Sequence, residues 1–154
     1  MLSDEELQEI QAALKHNIYK RGACVEAMKV IQKHRGWVSD EGLDDIAPVL
    51  EMTRDELDHV ATFYNLIFRK PVGRHVILVC DSISCWLTGY ERVREHLSNR
   101  LGVELGQTTA DNKFTLLPIV CLGDCDHAPS MMINDDLHNN LSVDKIDEIL
   151  NLYK

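Results

Sequence analysis

The chain has 154 residues, 45% of them hydrophobic, enough to bury a real core in one domain or two small ones. Its 25 acidic residues against 16 basic ones leave a net charge of -9, which repels phosphate backbones and anionic lipid and sets aside nucleic acid and direct membrane binding. No stretch approaches the roughly 20 consecutive apolar residues of a transmembrane helix, and the acidic start MLSDEELQEI is unlike a signal peptide, so a cytosolic protein is expected.

Four short amphipathic helices are predicted in the first seventy residues, packed as a small bundle. Ser3 and Glu6 form an S-x-x-E capping box with Leu2 and Leu7 as its hydrophobic staple, and Leu7, Ile10 and Leu14 recur at helical spacing. The second helix carries Ala23, Ala27, Val30 and Ile31, with Gly36 as its C-cap. A third starts near Ser39 and includes Leu43, Ile46, Ala47 and Leu50, and Pro48 inside that pattern predicts a break or kink. The fourth repeats box and staple with Thr53, Glu56, Met52 and Leu57, followed by Val60, Ala61 and Tyr64.

At Pro71 and Gly73 the period changes. HVILVC is a continuous apolar, β-branched run expected of a strand buried on both faces, and it stops at Cys80. Trp86, Tyr90, Val93, Leu97 and Leu101 then give one long helical stripe closed by Gly102. FTLLPIVCLG and MMIN read as short strands, Asn134 to Asp136 as a turn, and Ile146, Ile149, Leu150 and Tyr153 as one side of a last helix. The order strand, helix, strands, helix predicts an α/β layer with one crossover, so the chain divides near residue 70 into 1-70 and 71-154 and the whole is α+β.

Cysteine is placed unevenly. Four residues separate Cys80 from Cys85, three separate Cys121 from Cys125, and 35 lie between the pairs. Each pair sits where a strand hands over to a loop, so N–H groups released from the ladder point at whatever the sulfurs hold. Cys85 opens a helix whose dipole favours thiolate over thiol. In a reducing cytosol such pairs signal metal or redox chemistry rather than staples. Cys24, within ACVEAMKVI, reads as a small core residue. Three fillings compete for the other four: structural zinc, which takes pairs two to four residues apart; a dithiol switch, whose usual C-x-x-C spacing neither pair has; and a two-iron cluster, which needs four thiolates. A Rieske centre would need two histidines, and only one C-x-H occurs, at Cys125 and His127.

CDSISC with CLGDCDHAP resembles the thioredoxin-like two-iron ferredoxin family, and IQKHRGWVSD, VATFYNLIFRKPVGRHVILVC, GQTTADNKFTLLP, APSMMIN and LSVDKIDEIL are similar, in order, to the E subunits of bacterial respiratory complex I, the NADH:quinone oxidoreductases. One departure is His59, where the family more often has glycine before VATFY; it reads as a partly exposed helix residue. The resemblance implies that Cys80, Cys85, Cys121 and Cys125 hold one 2Fe-2S cluster on a thioredoxin-like α/β domain preceded by a helical bundle. It implies that Pro129 corresponds to the proline before a strand in that fold, its isomer left open.

It further implies an electron-transfer subunit that is not catalytic alone, with flavin and NADH bound by a flavin-bearing partner subunit and a large iron-sulfur subunit completing the input module. The complex would hold it on the cytoplasmic side of the inner membrane without insertion. The chain has no G-x-G-x-x-G and no P-loop, in keeping with a carrier that does not bind the electron donor itself. Two alternatives stand beside this: the homologous subunit of an NAD-linked formate dehydrogenase or hydrogenase, and a zinc-stabilised interaction module without redox role. Asp81, Asp124 and Asp126, in the cysteine loops, read as solvated carboxylates or as charges that lower a cluster's potential. Phe63, Tyr64, Ile67 and Phe68 read as core or as a partner contact, Trp37 and Trp86 as packing anchors, and Arg69, Lys70 and Arg74 as solvated surface with docking a further option.

Overall fold

The computed structural model describes residues 1–153 and divides into two compact units, Met1–Pro71 and Val72–Lys154. The first is helical: α1 (Asp4–Lys15), a 3₁₀ turn (Lys20–Ala23), α2 (Cys24–Arg35), α3 (Asp40–Leu50) and α4 (Arg54–Phe63). Both capping boxes form. Ser3 Oγ accepts from the Glu6 N–H while the Glu6 carboxylate accepts from the Ser3 N–H, and Thr53 and Glu56 repeat the exchange on α4. Each such cap contributes about 1 kcal/mol.

The stripes predicted from spacing meet in one core. Ile10, Met28, Ile31, Leu43, Ile46, Leu50 and Leu57 are fully buried, each contributing roughly 1.5–3 kcal/mol of transfer free energy. Cys24 is buried at its edge. Pro48 does not break α3, contrary to the expectation above. It lies in the last turn on the exposed side, so the missing N–H frees only the carbonyl of Asp44, which faces water on that side.

Arg69 is not a free surface cation either. Its guanidinium donates to Asp58 at 2.8 Å, to Asp40 at 2.6 Å and to the carbonyl of Val38. Of the aromatic and aliphatic run near it, Ile67 is buried and Phe68 half-buried, whereas Phe63 and Tyr64 are exposed. His59 is exposed on α4.

The second unit is built on β1 (His75–Cys80), α5 (Ile83–Thr88), α6 (Tyr90–Leu101), β2 (Phe114–Ile119), β3 (Met131–Ile133), β4 (Asp136–His138) and α7 (Val143–Leu152). The sheet order is β2-β1-β3-β4. β1 pairs in parallel with β2 from His75↔Phe114 to Cys80↔Ile119, and antiparallel with β3 through Ile77↔Ile133 and Val79↔Met131. The continuous apolar run is thus an inner strand, flanked on both edges. A helical crossover between parallel strands, followed by an antiparallel hairpin, is the arrangement the resemblance implied. Ile77, Val79, Leu116, Met131 and Ile133 pack with Val93, Leu97, Ile146 and Ile149.

Two local readings are corrected. The long stripe from Trp86 to Leu101 is two helices, parted at Gly89 where φ is 125°. The turn at Asn134 is tighter than predicted, because β4 already begins at Asp136 and pairs with Ile133. The Ala128–Pro129 peptide is cis.

Candidate metal centre

The end of β1 delivers the first thiol. The ladder runs one residue past Cys80, through Asp81 N–H to the Ile119 carbonyl at 3.0 Å, while the Cys80 N–H donates to the Ser130 carbonyl at 3.2 Å. Cys80 is therefore pinned at the point where β1, the chain after β2 and the chain before β3 meet. Its Sγ donates to the Val120 carbonyl at 3.5 Å. Ser82, extended, starts α5, which carries Cys85 one turn later and buries it.

The second pair comes from the loop after β2. Cys121 and Cys125 are exposed, with Sγ atoms 3.6 Å apart. Gly123 adopts φ 78°, a conformation that costs glycine nothing, and this folds the loop back so that its N–H donates to Cys121 Sγ at 3.3 Å. Cys125 opens a 3₁₀ turn (Cys125–His127) against which α5 packs. Asp124 anchors that loop: it pairs with His127 Nδ1 at 3.0 Å and accepts from the Ser130 hydroxyl at 3.3 Å, and the side chains of Asn139, His127 and Ser130 hold its carboxyl below the usual range. It is thus a built-in brace rather than a freely solvated loop carboxylate, while Asp81 and Asp126 are exposed. His127 is raised by its bond to Asp124 and by the charge of Asp126.

All four thiols sit at this one end of the sheet. Burial, with the neighbouring Cys80 and the charge of Cys125, pushes the Cys85 thiol up to about 11 against the favourable backbone of Ser130. Cys125 is raised by its bond to Cys121 and by that neighbour's charge. Thiols this crowded resist joint ionisation, and a cation between them reverses the preference.

Two thiolates bound to one metal at about 2.3 Å lie about 3.8 Å apart, and the 3.6 Å between the Cys121 and Cys125 sulfurs suits such a pair. The other two thiols arrive from a separate loop, which suits a second metal beside the first. The donor set fits a two-iron centre.

Exposed apolar side chains stand beside the cysteines in the chain, among the exposed Asp81, Asp126 and His127. Trp86 is 53%, Leu87 70% and Val120 71% exposed, with Ile83 also outside. Trp86 is consequently no packing anchor, because the break at Gly89 turns α5 away from the stripe of α6. Sequence reasoning also missed the Gly123 N–H that donates to Cys121 Sγ, although the glycine two residues after Cys121 was a readable signal for it.

A parallel strand pair with a helical crossover, an antiparallel hairpin and four thiols gathered at the strand ends define a thioredoxin-like domain of the ferredoxin class. The family model described as thioredoxin-like [2Fe-2S] ferredoxin matches residues 8–154, and the chain belongs to that family. It is 46% identical over 153 residues to the E subunit of the NADH-quinone oxidoreductase of Pseudomonas aeruginosa, covering 99% of this chain and 92% of the relative. The corresponding E subunits of Escherichia coli (46%) and Salmonella typhimurium (47%) match over the same 99% and 92%. Among solved structures, an air-oxidized NAD+-reducing [NiFe]-hydrogenase aligns with TM-score 0.73 at 23% identity. That alignment takes 84% of this chain and only 22% of the hydrogenase chain, a likeness of fold.

Proposed function

We propose that this chain is the electron-transfer subunit of an NADH-quinone oxidoreductase, holding one 2Fe-2S cluster on Cys80, Cys85, Cys121 and Cys125. The observation that carries the reading is the meeting of two thiol pairs from separate loops, one of them 3.6 Å across. Identity of 46% along 99% of the chain to proteins named for that complex supports the larger role. A cluster bound there supplies reversible one-electron transfer.

The chain's own residues bind and tune. Cys80 and Cys85 bring buried sulfurs, Cys121 and Cys125 exposed ones, so the second pair forms the outward side from which electrons enter or leave. The Gly123 N–H partly neutralises thiolate charge. The exposed Trp86, Leu87 and Val120 beside the thiols suit a protein partner, which we take to be the flavin-bearing, NADH-oxidising subunit, with the large iron-sulfur subunit completing the module. The chain is non-catalytic by itself. It is peripheral, on the cytoplasmic side of the inner membrane; no helix of the described residues is long and apolar enough to cross one.

The test is the full chain purified anaerobically. A red-brown protein with a rhombic or axial paramagnetic signal on reduction, integrating to one spin per chain, is expected. A colourless protein with one zinc per chain would overturn the reading. The related subunit of an NAD-linked hydrogenase or formate dehydrogenase is the second reading, favoured only by the shared fold; genes for membrane subunits beside this one separate the two.

A further inference from the structure

Ser130 stands just before β3, where the chain leaves the loop of the second thiol pair. It is 2% exposed, so both of its polar groups need partners inside the fold. Its carbonyl accepts from the Cys80 N–H at 3.2 Å, at the end of β1. Its hydroxyl lies 3.3 Å from Asp124 Oδ2 and 3.4 Å from the Asp124 carbonyl oxygen, on the residue immediately before Cys125. Asp124 is itself locked to the far side of that cysteine: Oδ1 pairs with His127 Nδ1 at 3.0 Å, and its carbonyl accepts from the His127 N–H at 3.2 Å. Cys125 is therefore clasped between two residues bonded to each other, and Ser130 joins that clasp to the strand end that carries Cys80. The hydroxyl of Thr88 reaches across nothing comparable; it donates to the carbonyls of Ser84 and Cys85 within its own helix.

We propose that Ser130 is a positioning residue for the metal centre, holding the Cys121–Cys125 loop in register with Cys80 through its hydroxyl on one side and its carbonyl on the other. The inference rests on the cluster assignment above. The exposed pair releases iron only when its loop lifts from the strand end, and such local opening is opposed by the buried hydrogen bonds that break with it. Of the two bonds, the one to the Ser130 carbonyl survives any substitution, whereas the hydroxyl bond is removed by a side-chain change. Its removal leaves Asp124 paired with His127 but detaches the clasp from the sheet, so Cys125 keeps its sulfur and loses its fixed place.

The test uses the full-length, cluster-loaded chain as wild type, Ser130→Ala, Ser130→Thr and Ser130→Val. Two quantities are read: the rate at which an iron chelator bleaches the visible absorption, and the line shape of the paramagnetic signal of the reduced form. The alanine and valine chains should lose iron about fivefold faster than wild type, the factor that one net hydrogen bond supplies, with a broadened signal as Cys125 takes up a spread of positions. Threonine should lose iron more slowly than valine and keep the narrow signal. Threonine and valine share one shape and differ in the hydroxyl, so their comparison cancels the effect of added bulk at a buried position; alanine, which adds none, decides where both larger chains fail to load. The line shape reports ligand geometry and does not follow a general loss of fold stability. An alanine chain with the wild-type rate and signal would overturn the proposal, as would equal rates and signals for threonine and valine. A wild-type chain that takes up no iron would sink the cluster assignment, and this inference with it; a loaded wild type with indifferent variants would sink this inference alone.

Discussion

The Sγ atoms of Cys121 and Cys125 lie 3.6 Å apart across a loop of three residues, with the Gly123 N–H aimed back at Cys121. That separation is close to the roughly 3.8 Å between two thiolates that share one metal. Replacing Cys121 with serine exchanges a soft ligand for a hard one at the exposed edge. Most of the iron and the visible absorption should be lost, a larger effect than the roughly 10–100-fold in affinity that an outer-shell change costs. Iron analysis after anaerobic purification checks it, and a Cys121→Ser chain that keeps full colour would exclude this residue as a ligand.

Cys24 provides the complementary case. It is buried at the edge of the helical core, far in sequence from the two pairs, and burial raises its thiol. Cys24→Ser places a hydroxyl in that core at a cost of about 1–3 kcal/mol, visible as a lower denaturant midpoint. The visible spectrum should be unchanged; bleaching would mean that the odd cysteine serves the metal centre and not the core.

The helical caps, the inner strand and both thiol pairs are legible in the sequence because each is a local pattern. Ser3 with Glu6 and Thr53 with Glu56 carry their own geometry, and HVILVC declares burial on both sides by the absence of alternation. What is not legible depends on which side of an element meets water. Pro48 reads as a breaker because the sequence does not reveal that Asp44 and Pro48 share the exposed side of α3. Trp86 falls by its spacing into a stripe that Gly89 interrupts, so the break that turns it to the surface is set by one glycine with φ 125°. Arg69 looks like part of a basic cluster because its carboxylate partners, Asp40 and Asp58, are distant in sequence.

Gly73 marks a close approach between the chain entering β1 and the chain entering β2. Its N–H donates to Thr115 Oγ1 at 2.6 Å, and a Cβ there would lie 3.0 Å from the Asn112 carbonyl oxygen and 3.0 Å from the Phe114 carbonyl carbon. Both obstacles are backbone, so no rotamer change relieves them. Gly73→Ala should destabilise the second unit by about 1–3 kcal/mol through overpacking. Denaturant unfolding followed by the cluster's absorption reads this directly, and an unchanged midpoint would mean that the β1 and β2 approaches separate more readily than their hydrogen bonds suggest.

Glu6 gives the first unit an acid-sensitive tie. Its side chain is 5% exposed, and both oxygens are taken by Arg35, Nε to Oε1 at 2.7 Å and Nη2 to Oε2 at 3.0 Å, with the Ser3 N–H also on Oε2. The Arg35 bonds lower its carboxyl from 4.5 to about 2 against the opposing effect of burial. A depressed carboxyl stabilises the fold above its unfolded value and loses that contribution as pH falls, so the loss runs from about pH 5 down to pH 2 and amounts to about 3 kcal/mol at most. Glu6→Gln removes the titration while leaving Arg35 its bond to Asp45 at 2.9 Å. Urea midpoints measured between pH 7 and pH 3 by far-ultraviolet circular dichroism should therefore fall more steeply for the wild type than for Glu6→Gln. Parallel slopes would show that Arg35 holds this carboxylate no more firmly in the folded chain than water does in the unfolded one.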